Sequence, residues 1–435
     1  MKFLLDRNRT PARRLGNPVP RTAVQSMKSI HISLLGHLTL IGALLSAGLS
    51  HGRTGDRKLA MQHLAAIDAQ YTDPGTPLEA AQRGMCRGFG QTEALKGTWV
   101  PHQDPSYRGL TIASKCPDFA RDSDSDCNGD NIDPIYHPLA AQEYAQVFRP
   151  HACDLQPLDA GRFSQCLQGR RVIMIGDSTM RQMFQSLACI LGDHIQSGFL
   201  TPWEDATSSH IHIPFDREYL IDKKPGHPVY KQYVGGFLLP NHTPVYLRSF
   251  GILNLTLWDD IMSEFMPLTS QDVIIAEFGA WYPSFDTATA IKSWTTFTTD
   301  MKQLFSERLR DLPATVLWRS YSPTHFGGEL GSYKSTQEVF GLYIDPLTNL
   351  TTCQPASKGE YFFDTEIIQY LQDECGQACN HIHMLPIYHL SLLKHNSHHG
   401  SFGTGVERKK IDCRHFCNNV VDVWNLVLYH KLCLS

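Results

Sequence analysis

Residues 171–183 read RVIMIGDSTMRQM and join an apolar run to a polar segment through Gly-Asp-Ser. The apolar run predicts a buried strand, and residues 179–191 repeat apolar side chains along one face of a helix. Ser178 is therefore expected just past the carboxyl end of a strand, at a helix N-terminus whose unpaired N–H groups can stabilise an oxyanion. A serine that only caps the helix fits the same position, so this stretch alone leaves both interpretations open.

Strand-like and helix-like segments alternate after residue 170. Buried strands are predicted at 171–175, 272–278, 315–321 and 381–385, and helices at 179–191, 290–309 and 363–373. This alternation predicts an α/β fold in which helices flank a parallel sheet.

The composition bounds the class of protein. The chain has 435 residues and a formal net charge of -4, so it lacks the basic field that binds nucleic acid. Its 12 cysteines all follow residue 85, which indicates disulfides in an oxidising compartment. Two Cys-x3-Cys spacings keep structural zinc open as an alternative. Two His-x-His pairs, 210/212 and 381/383, have no further ligand spacing near them, and we predict no metal site.

The N-terminal region has the features of a membrane anchor. Residues 30–49 are predominantly apolar and long enough to span a bilayer as a helix. Basic residues dominate the segment before them, which predicts a cytoplasmic N-terminus and a lumenal remainder. A cleaved signal peptide is the alternative. Sequons at Asn241, Asn254 and Asn349 agree with a lumenal domain but support it weakly.

A candidate base for Ser178 lies near the C-terminus, in the segment IDCRHFC at 411–417. A serine hydroxyl needs an adjacent base to become a nucleophile. The Asp-x-x-His spacing of Asp412 and His415 is expected to place both groups on one side of a turn, so that the carboxylate orients the imidazole. Cys413 and Cys417 flank the histidine and would fix its loop if they are oxidised, although His415 could also be an ordinary surface histidine.

Gly-Asp-Ser after a strand, together with Asp-x-x-His near the C-terminus, resembles the SGNH/GDSL hydrolase superfamily. More closely, the chain resembles the trichome-birefringence-like family of plants, in the PC-esterase group of polysaccharide O-acetyltransferases. The similarity runs in order through separated blocks: GTWV (97–100), residues 148–191, FGILNLTL (250–257), DVIIAEFGAWY (272–282), RSYSPTHFGGE (319–329) and DCRHFCNNVVDVWNLVLY (412–429).

The resemblance implies an organisation and an activity. The residues themselves predict a cytoplasmic tail at 1–29, a transmembrane anchor at 30–49 and a stem at 50–85. The resemblance implies that residues 86–435 form one catalytic unit, with a Cys-rich minor lobe at 86–170 and an SGNH-like catalytic lobe at 171–435. The expected protein is a single-pass type II Golgi enzyme with a lumenal catalytic domain. It transfers acetyl groups to a polysaccharide or oligosaccharide through an acetyl-serine intermediate, with no bound cofactor and an acetyl donor of unknown identity. A carbohydrate acetyl esterase and a non-catalytic wall-polymer binding protein are the alternatives.

The resemblance also assigns roles to residues. Ser178, His415 and Asp412 form the expected triad, and Gly176, Arg181 and Gln182 are the expected oxyanion group. Candidate substrate contacts are Asp177, Gly279, Trp281, Tyr282 and His325. Three departures concern the acceptor side: Gln182 stands where the family usually has Asn, residues 277–282 replace Asn-Thr-Gly-His-Trp-Trp, and Phe416 replaces a tryptophan. The polymer is therefore not carried over from the family.

Overall fold

The computed structural model of the protein describes residues 85–86, 95–103, 116–120, 145–202, 211–213, 217–219, 233–251, 253–280, 298–326, 343–344, 351–355, 362–399 and 412–434. Its strands are β1 Gly97–Pro101, β2 Gln146–Pro150, β3 Val172–Gly176, β4 Ser197–Pro202, β5 Ile211–Ile213, β6 Arg217–Tyr219, β7 Tyr233–Leu239, β8 Thr243–Ser249, β9 Val273–Glu277, β10 Thr315–Arg319, β11 Tyr343–Ile344, β12 Thr351–Thr352, β13 Ile382–Leu385, β14 His398–His399 and β15 Asp412–Phe416. Its helices are α1 Ala160–Cys166, α2 Ser178–Leu191, α3 Leu255–Ser263, α4 Phe362–Gln369, α5 Tyr388–Leu392 and α6 Asn418–Cys433.

A seven-stranded sheet in the order β13-β10-β9-β3-β8-β7-β4 forms the centre of the fold. The five strands from β13 to β8 are parallel, and they include the four predicted from apolar runs. The expectation of a purely parallel sheet is wrong at one edge, where β7 pairs antiparallel with β8 and β4 with β7. The short connection Pro240–His242 between β7 and β8 explains the reversal, because a parallel crossover needs a much longer segment.

Both faces of the sheet are covered, as the continuous apolar strands predict. In β3, Val172 and Met174 join the core beneath α2 and α6, while Ile173 and Ile175 join the core on the opposite face. That second core includes residues of α3 and α4 and of 298–309, where a helical turn at 298–303 continues into a π-helix at Leu304–Leu309. Successive side chains of a strand point to opposite faces of the sheet, so the side chains of β3 contribute to both cores.

Disulfides tie the N-terminal part of the domain to the helices around the sheet. The bridges are Cys86–Cys153, Cys116–Cys189, Cys166–Cys433, Cys353–Cys413 and Cys375–Cys379. Cys417 is also disulfide-bonded, and no described cysteine is free, so the disulfide prediction is confirmed for this part of the chain. The β1–β2 pair is held further by Trp99, whose indole N–H donates to Leu390 O at 2.8 Å.

Within the described ranges, no helix is long and apolar enough to span a membrane. The predicted anchor at 30–49, together with the tail and stem around it, lies outside those ranges.

Candidate active site

Ser178 and His415 meet at the carboxyl edge of the central sheet. Ser178 is the first residue of α2 and is separated from the last residue of β3 by Asp177 alone, and His415 lies in β15. Serine Oγ is 2.6 Å from His415 Nε2, although 237 residues separate the two along the chain. Both residues are partly exposed, so the pair is open to a ligand. This distance is the one expected between a nucleophile and its general base.

The helix cap is Asp177 and not Ser178. The Asp177 carboxylate accepts hydrogen bonds from the backbone N–H and the hydroxyl of Thr179 at 2.8 and 2.7 Å. Its second oxygen accepts from Ala280 N at 2.9 Å, which ties the segment after β9 to the start of α2. The carboxylate is completely buried. Asp177 therefore has a structural role, its expected substrate contact stays a prediction, and Ser178 does not cap the helix.

The segment that contains Asp412 and His415 is a strand rather than the expected turn. In the β14–β15 pair, His398 is opposite Phe416 and His399 is opposite Asp412. One step along β14 thus corresponds to four along β15, and residues 413–415 form a bulge. The bulge breaks the regular alternation of side chains that would otherwise place positions 412 and 415 on opposite faces. The side chain of Asp412 lies outside the described part of the structure, and its role stays a prediction.

The backbone around His415 is held from two sides. Gln182 Nε2 donates to Phe416 O at 2.9 Å, and Phe416 N donates to Gln182 Oε1 at 3.3 Å. His398 Nδ1 lies 2.9 Å from the carbonyl oxygen of His415. The Cys353–Cys413 bridge anchors the same strand covalently. These contacts fix the position of the histidine ring that faces Ser178.

His325, expected at the substrate cleft, is instead completely buried. Its Nδ1 lies 2.6 Å from His398 Nε2, and its Nε2 lies 3.2 Å from Leu392 O. Burial lowers the pKa of His325 well below its usual range, and the neighbouring imidazoles of His398 and His395 act in the same direction. The ring lies behind His415 as internal support, and the substrate contact expected for His325 stays a prediction.

Arg181 lies three residues after Ser178, where an oxyanion donor was expected. It is partly exposed, and its guanidinium carbon lies 4.3 Å from the centroid of the Tyr233 ring, in a cation–π contact. Its Nε makes no hydrogen bond. Arg181 is not paired with Glu277, whose carboxyl group contacts Arg319.

Gly176, the other expected oxyanion residue, ends β3 where two strands approach closely. A Cβ at this position would lie 2.4 Å from Glu277 O and 2.9 Å from Met180 Cβ. Its visible role is to allow α2 and β9 to pack together beneath Ser178. Gly279 has a similar constraint, since a Cβ there would lie 2.6 Å from the Tyr321 ring. Trp281 and Tyr282 lie outside the described residues, and their assignment stays a prediction.

A buried ionic network beneath Ser178 was not found from the sequence. The carboxyl group of Glu277 accepts a hydrogen bond from Arg319 Nη2, and its Oε2 lies 3.2 Å from Thr179 Oγ1. Burial raises the pKa of Glu277 to about 8, and the charge of Asp177 acts in the same direction. The ends of β9 and β10 bring these residues together, and no spacing along the chain indicates it.

The described side chains include no cluster of three or more His, Cys, Asp or Glu residues that would hold a metal ion. His381, from one of the two His-x-His pairs, has its Nε2 2.9 Å from Leu309 O.

Two known protein families are similar to parts of this chain. Residues 263–431 match the PC-esterase family, described as a GDSL/SGNH-like acyl-esterase family found in Pmr5 and Cas1p. Residues 148–233, which include Ser178, match the C-terminal domain of NXPE family member 4-like proteins. Residues 263–431 are thus similar to the PC-esterase family, and the resemblance stated from the sequence blocks is confirmed as a similarity.

Individual relatives agree with that similarity. Protein trichome birefringence-like 41 of Arabidopsis thaliana is 24% identical over 360 residues, which cover 78% of this chain and 90% of that protein. Protein trichome birefringence-like 31 of the same plant is 23% identical and covers 78% of this chain and 82% of its own length. Xylan O-acetyltransferase 12 of Oryza sativa subsp. japonica is 22% identical and covers 77% of this chain and 68% of its own length.

Proposed function

We propose that the protein is a polysaccharide O-acetyltransferase that works through an acetyl-serine intermediate. The observation that carries the proposal is the 2.6 Å contact between Ser178 Oγ and His415 Nε2, because it joins a nucleophile to a base at an accessible helix N-terminus. The PC-esterase match and a xylan O-acetyltransferase among the relatives support acetyl chemistry on a carbohydrate.

In the proposed first half-reaction, Ser178 Oγ attacks the carbonyl carbon of the acetyl donor while His415 Nε2 takes the serine proton. The bond between the acetyl group and the donor then breaks, and the leaving group receives that proton. We assign Asp412 as the residue that orients the imidazole. Arg181 and the backbone N–H groups at the start of α2 are assigned to the negative charge on the carbonyl oxygen.

In the second half-reaction, a sugar hydroxyl attacks the acetyl-serine carbonyl and His415 takes the hydroxyl proton. The proton returns to Ser178 Oγ as the serine–acetyl bond breaks. Water in place of the sugar gives hydrolysis, so the esterase is the second candidate function and uses the same residues. No cofactor takes part in either scheme; the acetyl donor is a second substrate.

The proposal includes location. We propose that residues 30–49 anchor the protein as a single-pass type II component of the Golgi membrane, with the catalytic domain in the lumen. The disulfide-bonded state of the described cysteines supports an oxidising compartment. Protease protection of the domain in intact vesicles tests the orientation, and digestion without detergent contradicts it.

A transfer assay separates the candidate functions. The purified protein from residue 86 onward is incubated with an acetyl donor and a panel of plant-wall oligosaccharides, and the masses of the products are measured by mass spectrometry. A gain of acetyl on one oligosaccharide supports the transferase, and release of acetate from acetylated oligosaccharides alone supports the esterase. Neither activity, together with no labelling of Ser178 by a fluorophosphonate, would contradict both and favour a wall-polymer binding protein.

A further inference from the structure

Gln182 links the two elements that bring Ser178 and His415 together. It lies on α2, one turn after Ser178, and both ends of its amide bond to the backbone of Phe416, the residue after His415. The orientation of the amide is determined by its partners, since a backbone N–H must donate to the oxygen and a backbone carbonyl must accept from the nitrogen. A single side chain thus connects the nucleophile's helix to the base's strand.

We propose that Gln182 is a positioning residue that sets the distance between Ser178 and His415. Its link lies one residue from the base and four from the nucleophile, so little intervening backbone can absorb an error in position. Both Gln182 and Phe416 are buried, which keeps water from competing for the two hydrogen bonds.

The contacts on the other side of the strand make this link consequential. His398 Nδ1 lies 2.9 Å from the carbonyl oxygen of His415, and its ring packs against Phe416 with centroids 4.0 Å apart. His398 belongs to β14, which does not carry the serine. Loss of the Gln182 amide is therefore expected to leave His415 attached to β14 while its connection to α2 passes only through α6, whose Asp422 and Asn425 bond to α2 several residues further along the chain.

This role is distinct from the oxyanion role expected for this position. One N–H of Gln182 Nε2 donates to Phe416 O and so holds the backbone next to the base, whereas an oxyanion donor directs its N–H toward the substrate carbonyl. The side chain of asparagine, one methylene shorter, does not span the same gap with both ends of its amide. Gln182→Asn is accordingly expected to behave as a loss of the link and not as a conservative change.

This inference rests on the proposed nucleophile–base pair, and its first test does not depend on the reaction. The crystal structures of the wild type, Gln182→Met and the control Gln185→Met are compared. Gln185 is a buried glutamine on the same helix whose Oε1 makes no hydrogen bond. We expect the distance between Ser178 Oγ and His415 Nε2 to exceed about 3.5 Å in Gln182→Met and to stay near its wild-type value in the control. An unchanged distance in Gln182→Met overturns the inference, whatever reaction the protein catalyses.

The second test measures the reactivity of the pair with a fluorophosphonate. Ser178 Oγ forms a bond to phosphorus, the P–F bond breaks, fluoride leaves and His415 receives the serine proton. A shift of about 1 Å between reacting groups costs about 10²-fold in rate. We therefore expect the inactivation rate constant of Gln182→Met to fall about 10–100-fold, with reversible binding of the reagent unchanged. Weaker binding with an unchanged rate constant contradicts a positioning role. Absence of acetyl transfer in the wild type, with this pattern intact, would contradict the proposed function alone.

Gln182→Glu supplies a signature that a loss of packing does not produce. A protonated carboxyl group reproduces the amide, because its O–H donates to Phe416 O and its carbonyl accepts from Phe416 N. An ionised one loses the donor and repels the carbonyl. Burial raises the pKa of such a carboxyl group, so a fraction of the molecules stays protonated at a pH above the usual pKa of glutamate. The ratio of variant to wild-type rate, which corrects for titration of His415 and His398, should fall as the pH rises; a flat ratio overturns the two-bond link.

Discussion

The guanidinium of Arg319 donates a hydrogen bond to the carboxyl group of Glu277, and neither side chain has exposed surface. Arg319 also donates to the hydroxyl and to the carbonyl oxygen of Thr179, in the first turn of α2, and its guanidinium lies 4.7 Å from the ring centroid of Trp424. Strand ends β9 and β10, helix α2 and helix α6 therefore share one polar centre directly beneath Ser178. Its ionic state affects the stability of the whole domain.

The first prediction concerns the pH dependence of stability. Because the pKa of Glu277 is raised from 4.5 to about 8 by burial and by Asp177, the folded protein retains a proton that the unfolded chain releases. This contribution is complete below about pH 4.5 and is lost as the pH rises toward 8. Urea unfolding from pH 5 to 8 should show Glu277→Gln becoming more stable relative to wild type as the pH increases.

Asp364→Asn provides a parallel case, because burial raises the pKa of the Asp364 carboxyl to about 8 as well. The same direction of change is expected for this variant. Stability curves of wild type and both variants that run parallel from pH 5 to 8 would refute the assignment of these protons.

The second prediction concerns the cap of α2. Asp177→Ala removes the acceptor of Thr179 N, Thr179 Oγ1 and Ala280 N inside the protein. A lost cap costs about 1 kcal/mol, and unsatisfied buried donors add about 1–3 kcal/mol. We expect a loss of about 2–4 kcal/mol in the free energy of unfolding, measured by urea denaturation. Asp159→Ala is the matched control, since Asp159 caps α1 through an exposed bond to Arg162 N; an equal loss in both variants contradicts the network.

Parts of the fold that depend on local pattern could be predicted, and parts that depend on distant contacts could not. The apolar runs identify β3, β9, β10 and β13, and the helical period of 179–191 identifies α2. Strand β7, which lies between β8 and the edge strand β4, contains Gly235 and Gly236 and carries a weaker strand signal, so the sequence does not predict the antiparallel edge.

The candidate site divides in the same way. The motifs identify Ser178 and His415 because each lies in a short, recognisable segment. The residues that support this pair do not lie in recognisable segments. The contact of His325 with His398 joins residues 73 apart, and the Gln182–Phe416 link joins residues 234 apart. Support of this kind is created by packing, and a single sequence carries no record of it.

The third prediction compares two disulfides. The Cys353–Cys413 bridge closes a segment of 60 residues, whereas Cys375–Cys379 closes one of 4 residues. In the chain-entropy description, the longer loop contributes about 2 kcal/mol more to stability. Replacing Cys353 and Cys413 together by serine should therefore lower the free energy of unfolding more than the same change at Cys375 and Cys379. The reverse order in calorimetry or urea unfolding would contradict this.

The fourth prediction concerns the proposed triad. Ser178→Ala, His415→Ala and Asp412→Asn should each lower the acetyl-transfer rate by several orders of magnitude, because each removes part of one proton-transfer unit. Their effects should not add: the Ser178→Ala/His415→Ala double variant is expected to be about as slow as the slower single variant. Steady-state rates, with folding verified by circular dichroism, provide the measurement. A Ser178→Ala enzyme that retains near-wild-type transfer removes the covalent mechanism.

The last prediction concerns Arg181, which lies one turn after Ser178 with its guanidinium against the ring of Tyr233. The stack leaves the edge of the planar guanidinium for hydrogen bonding, which suits a donor to the developing oxyanion. Loss of one such donor lowers turnover about 10²–10³-fold, so Arg181→Ala should lose kcat on that scale while the KM for the acceptor changes little. Arg181→Lys should recover only part of the rate, because an ammonium group lacks the planar fork.

Tyr233→Leu, which keeps the donor but removes its support, should lower kcat less than Arg181→Ala. A rise in acceptor KM at unchanged kcat in Arg181→Ala would instead place this residue in the sugar site.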